Sequence, residues 1–183
     1  MSLVRYTYLL LTLISLFIAP MSLAKNISAN QVFTLINQRL SHMENVAKHK
    51  LQAQLAIEDK TREKVVIDKA VLSAQALGFE TQSIAEFFNV QIQVAKAIQH
   101  RVSADLMHQP TLNDFPDLHT QIRPELIRLS GAINMALAQY LSHQHFNEGQ
   151  RIVFAQSLDN PYLSARDKDV LFDALLNIKM KQR

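Results

Sequence analysis

Apolar residues recur along this chain at intervals of three and four, the spacing of a single helix face. Val32, Leu35, Ile36, Leu40, Met43, Val46 and Ala47 follow that rule and predict a helix from Ser28 or Asn30, both good caps, to about Gln54. Residues 55–60 interrupt the pattern, and Asp59 is placed to cap a second helix through Val65, Val66, Ala70 and Leu77, with Gly78 as its stop. Ser83 and Glu86 have the S-x-x-E spacing of a capping box, which predicts the start of a third helix there. It runs on through Phe87, Phe88, Ile92, Ala95 and Ile98 to about His108, and Pro110 ends it. Residues 111–117 read as a connecting loop. A fourth helix covers about Leu118 to Ser142, with Pro124 in its first turns or at a kink. A shorter helix spans about Gln150 to Leu158, and a last one runs from Ser164, boxed by Asp167, to about Lys179. The expected fold is all-α, a bundle of about six helices.

Composition supports this reading. Only 3 glycines and 5 prolines occur in 183 residues, few breaks for a chain of this length, and 48% of residues are apolar. One domain is expected. The first 24 residues stand apart: Arg5, then an apolar run from Tyr6 to Met21, then Ser22, Leu23 and Ala24 with small residues at the −3 and −1 positions of a cut. That run falls short of the ~20 residues needed to cross a bilayer. The expectation is a cleaved signal peptide over residues 1–24, export to the periplasm or medium, and a helical domain over 25–183 that leaves the membrane. Cleavage removes one of the 19 Lys and Arg residues and none of the 16 Asp and Glu, lowering the formal charge from +3 to +2. Such a small, scattered excess leaves no nucleic-acid footprint. Cysteine is absent, which excludes thiol and zinc-finger chemistry. His143 and His145 are two apart in what reads as a surface loop, so no metal site is expected.

The helical pattern also places charge where a core belongs. At about 100° per residue, Lys50 returns to within about 20° of the direction of Arg39, on the stripe of Val32, Ile36, Met43 and Val46. Arg62 points to the side of Val65 and Val66, Gln99 shares a face with Phe88, Ile92 and Ala95, and Arg123 aligns with Ile127 and Leu137. Any one of these residues could lay its stem on apolar surface and reach water, or pair with a structural carboxylate such as Asp59 or Glu63. Several cations converging on one interior require anionic compensation, because unpaired buried charge costs several kcal/mol. Few inward carboxylates are present to supply it. A small dianionic ligand would.

The run Arg39-Leu40, Val46-Ala47-x-x-Lys50, Ile57-Glu58-Asp59-x-x-Arg62-Glu63, followed by Phe87-Phe88-x-x-Gln91-Ile92 and Lys96-Ala97-Ile98-Gln99, resembles the all-α (AroQ-class) chorismate mutases. Asp117-Leu118 and Ile122-Arg123-Pro124 are similar to the secreted, periplasmic (gamma) subgroup, whose members carry an additional C-terminal helical part. The resemblance covers roughly residues 30 to 130. It implies an isomerase that rearranges chorismate to prephenate without a cofactor or metal. Arg39 and Arg123 would clamp the two substrate carboxylates, with Arg128 the alternative to Arg123 and Arg62 a third guanidinium. Lys50 and Gln99 would donate to the ether oxygen, Glu63 would accept from the ring hydroxyl, and the backbone near Asp59 would assist. Lys50, Gln99 and Arg62 are thus the expected catalytic set. One protomer would supply the whole site, and a homodimer is the assembly implied.

Two positions depart from the family pattern. Ala95 stands where relatives often place Ser or Thr against a carboxylate, a loss worth about 0.5–1.5 kcal/mol. Val66 replaces a polar residue of some secreted members. An exported helical binding or adaptor protein for a small dicarboxylate is the alternative function, and Lys50 with Gln99 separates the two, since only catalysis needs the ether-oxygen donors.

Overall fold

The computed structural model describes residues 27–108 and 115–181. The leader with its expected cut after Ala24, and the expected stop at Pro110, lie outside the described residues. Seven α-helices follow in order: α1 (Ala29–Ser41), α2 (Met43–Gln52), α3 (Lys60–Gln75), α4 (Thr81–Leu106), α5 (Arg123–Leu141), α6 (Arg151–Ser157) and α7 (Ala165–Leu176). α2, α3 and α7 pack on α4, while α5 packs on α1 and α3. Among the described residues there is no strand, and no helix is long and apolar enough to cross a membrane.

The first expected helix is divided in two. His42 separates α1 from α2, although its own backbone stays in the right-handed helical region (φ −71°, ψ −13°). Counted with that pair as one, the bundle has six helices. Asp59 caps α3 by accepting from Arg62 N at 2.9 Å. Beyond Gln75 the chain turns through Gly78, whose φ of +88° suits a residue without Cβ. α4 begins two residues before the expected cap. Glu80 precedes it, and Ser83 lies buried in the first turn, where its Oγ donates to Glu80 O and accepts from Lys179 N at 3.0 Å. Sequence spacing could not show that Ser83 would be recruited by the far end of the chain. Ser164 and Asp167 do form the expected box, and α7 stops at Leu176, three residues before the expected end.

The start of the fourth expected helix differs most. Residues 118–122 form a π-turn before α5 begins. Pro124 explains it: proline has no N–H to give a carbonyl four residues back, and its ring collides with that carbonyl in a regular α-turn. The wider turn bonds Ile122 N to Asp117 O and Arg123 N to Leu118 O instead. Asp117 caps it, with Oδ1 accepting from the backbone N–H groups of Thr120 and His119 and from the Thr120 hydroxyl at 2.7–2.9 Å. Those bonds, led by the one from Thr120 N, hold the Asp117 carboxyl below the usual carboxylate range.

The C-terminal helices hold α1 in place. Phe33 of α1 meets Phe154 of α6 edge-on at 5.0 Å, and Phe146 and Phe172 complete a buried aromatic cluster around it. Asn160 Nδ2 donates to Leu40 O, and Asn37 Oδ1 accepts from Asp159 N. Phe79 and Met180 form an antiparallel bridge that ties the α3–α4 turn to the last described residues.

Candidate active site

α1, α2, α3, α4, the π-turn and α5 enclose a cavity of about 300 Å³. Its lining includes Arg39, Lys50, Asp59, Arg62, Glu63, Gln99 and Arg123, all seven residues singled out by spacing and resemblance. Arg128 is not among them; it is exposed and paired with Glu125 in a two-point ion pair. Val65, Val66 and Ile127 sit on the expected faces, but those faces open onto the cavity, leaving Ile127 48% exposed. The periodicity found the right side of each helix. It could not distinguish a packed core from a hollow one.

Arg39 is 4% exposed. Its Nε donates to Ser130 Oγ at 3.4 Å, and Nη1 is buried with no partner. Burial lowers its pKa to about 10, so at neutral pH the guanidinium keeps its charge against a desolvation cost. Lys50 is half-buried and donates to Ile57 O. Burial lowers its pKa; Asp59 and Glu63 oppose that shift, while Arg123 and Lys96 add to it. Gln99 is 5% exposed, with Nε2 donating to Ala95 O at 3.2 Å and to Met43 Sδ at 3.6 Å, and Oε1 left unpartnered. The thioether is a weak acceptor, so an oxygen placed beside Met43 competes readily for that second amide hydrogen. Arg123 is half-buried, and its Nη1 donates to His119 Nδ1 at 2.8 Å.

Six cations therefore line the cavity (Arg39, Lys50, Arg62, Lys69, Lys96, Arg123) against two carboxylates. Both carboxylates already have partners. Asp59 caps α3, and Glu63 accepts from Asp59 N at 3.2 Å through Oε1 and from Lys96 Nζ at 3.0 Å through Oε2. At Lys96 burial works against the charge, but the bonds to Glu63 and Glu58 outweigh it and raise the pKa. Among the described residues, none of Arg39, Lys50, Arg62, Lys69 or Arg123 has a carboxylate partner.

Sequence reasoning gave no role to Lys69, Lys96 or Ser130. Lys69 follows Arg62 by two helical turns and could have been found by the same periodicity. Lys96 appears in the motif, but its bond to Glu63 crosses from α4 to α3 and leaves no local trace. Ser130 meets Arg39 across 91 positions. Among the described residues no group of three His, Asp or Glu side chains could hold a metal, and His143 and His145 are exposed.

A helical bundle with a cation-lined cavity, and with no carboxylate among the described residues free to neutralise it, is suited to take up a compact polyanion. The family model for chorismate mutase type II matches residues 29–100. A protein named secreted chorismate mutase from Yersinia pestis is 34% identical over 152 residues, 82% of each chain. The monofunctional chorismate mutase of Enterobacter agglomerans is 29% identical over 91% of this chain and 96% of that one. The crystal structure of the secreted Yersinia pestis chorismate mutase superimposes with a TM-score of 0.76 at 32% identity, covering 82% of this chain and 98% of that one. That of the Burkholderia thailandensis chorismate mutase gives a TM-score of 0.65 at 28% identity, over 80% and 95%. The chain belongs to the chorismate mutase family.

Proposed function

We propose that this protein rearranges chorismate to prephenate in the cavity between α1–α2, α3, α4 and α5. The observation that carries the reading is the Arg39 guanidinium, buried with an unpartnered nitrogen in a wall of cations where the two carboxylates among the described residues, Asp59 and Glu63, are already bound. Chorismate brings two carboxylates of the missing sign. Arg39 and Arg123 bind them, because a planar guanidinium fork matches a carboxylate at two points, and Arg62 adds a third positive group.

The reaction breaks an ether carbon–oxygen bond as a carbon–carbon bond forms within one molecule. No proton, electron or group leaves, so no nucleophile is required. The cavity holds the side chain over the ring in the reactive pose, which removes most of the entropic barrier. Negative charge grows on the ether oxygen as its bond stretches. Lys50 and Gln99 donate to it there, and preorganised donors in a desolvated site stabilise such charge well. Glu63, oriented by Lys96, accepts from the ring hydroxyl, with the backbone at Asp59 beside it.

The test follows the ultraviolet absorbance of chorismate with purified residues 25–183, prephenate being identified as product. Turnover above the spontaneous rate, lowered about 10²-fold or more in Lys50→Ala, supports the reading. Folded protein without turnover overturns the enzyme, and a melting temperature raised by chorismate would then favour the binding-protein alternative.

We also infer export with cleavage after Ala24. Protein recovered from the periplasm or medium should begin at Lys25. A mature N-terminus elsewhere would overturn the site of the cut.

A further inference from the structure

Arg123 leans on an imidazole. Its Nη1 lies 2.8 Å from His119 Nδ1, and since a guanidinium has donors only, that ring nitrogen accepts and the ring proton sits on Nε2. His119 and Arg123 stand four residues apart, the spacing at which side chains on one helical face are neighbours, with His119 in the π-turn and Arg123 opening α5. Asp117 fixes the main chain of His119 at 2.9 Å, and the imidazole edge rests against His49 of α2, centroid to centroid 5.8 Å at 71°. His119 is thus held from two sides before it holds Arg123.

We propose that His119 is a positioning residue for Arg123, aiming its guanidinium into the cavity while leaving the charge whole. A carboxylate in the same place would fix the direction equally well, but it would neutralise the guanidinium and compete with the substrate. An imidazole occupies Nη1 alone and leaves Nη2 and Nε for the two-point grip on a substrate carboxylate. Nearby Arg128 shows the contrast: Glu125 takes its Nε and Nη2 outright, and it faces solvent.

This inference rests on the reading of Arg123 as a carboxylate ligand, and a double-mutant cycle separates the two. Steady-state kinetics with chorismate are measured for His119→Ala, His119→Gln, Arg123→Ala and His119→Ala/Arg123→Ala. His119→Ala should raise KM about tenfold, the worth of one ordered hydrogen bond, with kcat nearly unchanged. His119→Gln, whose amide oxygen accepts in place of Nδ1, should recover most of that loss. In the Arg123→Ala background, His119→Ala should cost nothing more, and melting temperatures should stay level because His119 is exposed. An unchanged KM in His119→Ala, or an equal loss with and without Arg123, overturns the positioning role while leaving Arg123 as ligand. An unchanged KM in Arg123→Ala removes the ligand assignment and the positioning role with it.

Discussion

Arg39 and Lys50 carry charge into places where water scarcely reaches, and the fold bears the cost. With the Arg39 pKa held at about 10 by burial, the unfolded chain binds that proton more tightly than the folded one. The charge therefore opposes folding at every pH below about 10, and the opposition fades as pH rises from there toward the ordinary arginine value. Replacing Arg39 with methionine should raise unfolding free energy by about 1–4 kcal/mol, as for other buried charges exchanged for apolar groups. The same variant should lose the rise in melting temperature that chorismate gives the wild type. Calorimetry with and without chorismate checks both; a less stable Arg39→Met protein would mean that Ser130 and the cavity satisfy the guanidinium already. Gln99 makes a second prediction at this scale. An amide donates without titrating, so wild-type kcat should stay nearly level from pH 5 to 8. At higher pH it should fall, because burial brings the loss of the Lys50 proton below the ordinary lysine range. In Gln99→Glu the donor exists only while protonated, so kcat should be highest in acid and decline as pH rises through that window.

Among the elements, α5 gives the cavity Arg123, Leu126, Ile127, Ser130 and Gly131. Gly131 sits mid-helix, where glycine costs about 0.5–1 kcal/mol relative to alanine, yet a Cβ built there meets no atom within 4 Å. Gly131 also lines the cavity. Gly131→Ala should therefore raise stability by about that amount, and the methyl should raise KM severalfold by standing where the substrate lies. Unfolding curves and KM measured together test this, and an unchanged KM would show that the space belongs to solvent. The helices themselves were largely legible, because their apolar stripes repeat every three to four residues. So were the inward polar residues Arg39, Lys50 and Gln99, which interrupt those stripes at fixed angles. The division at His42 was not, since its dihedrals remain helical and nothing in the residue itself ends a helix. Nor was the π-turn, although Pro124 announced a disturbance. Which backbone groups rearrange around a proline depends on what packs behind them, here the buried Leu118 and Ile122. Ser130, Lys69 and the Glu63–Lys96 pair take their places from how helices face one another, which no single-helix pattern contains.

At the scale of the whole molecule, the aromatic cluster and the cavity meet at α1. One face of that helix gives Phe33 to Phe146, Phe154 and Phe172, and another gives Arg39 to the site. Phe172→Ala should cost about 3–5 kcal/mol, because a fully buried ring leaves a hole its neighbours cannot refill. Chemical denaturation measures that loss, and a cost below about 1 kcal/mol would show that the cluster relaxes around the gap. Guanidinium placement on α1 thus depends on helices that contribute no residue to the cavity.

The antiparallel bridge between Phe79 and Met180 has a consequence in time. A ribosome delivers residues in order, and the turn between α3 and α4 waits for its hydrogen bonds from Lys179 and Lys181 about a hundred residues later. Helical bundles usually close early on neighbouring contacts, as soon as each hairpin emerges. Here α1 and the α3–α4 turn both lack their final partners until the tail has been made. The locking of these two segments is therefore the last step of folding that synthesis permits.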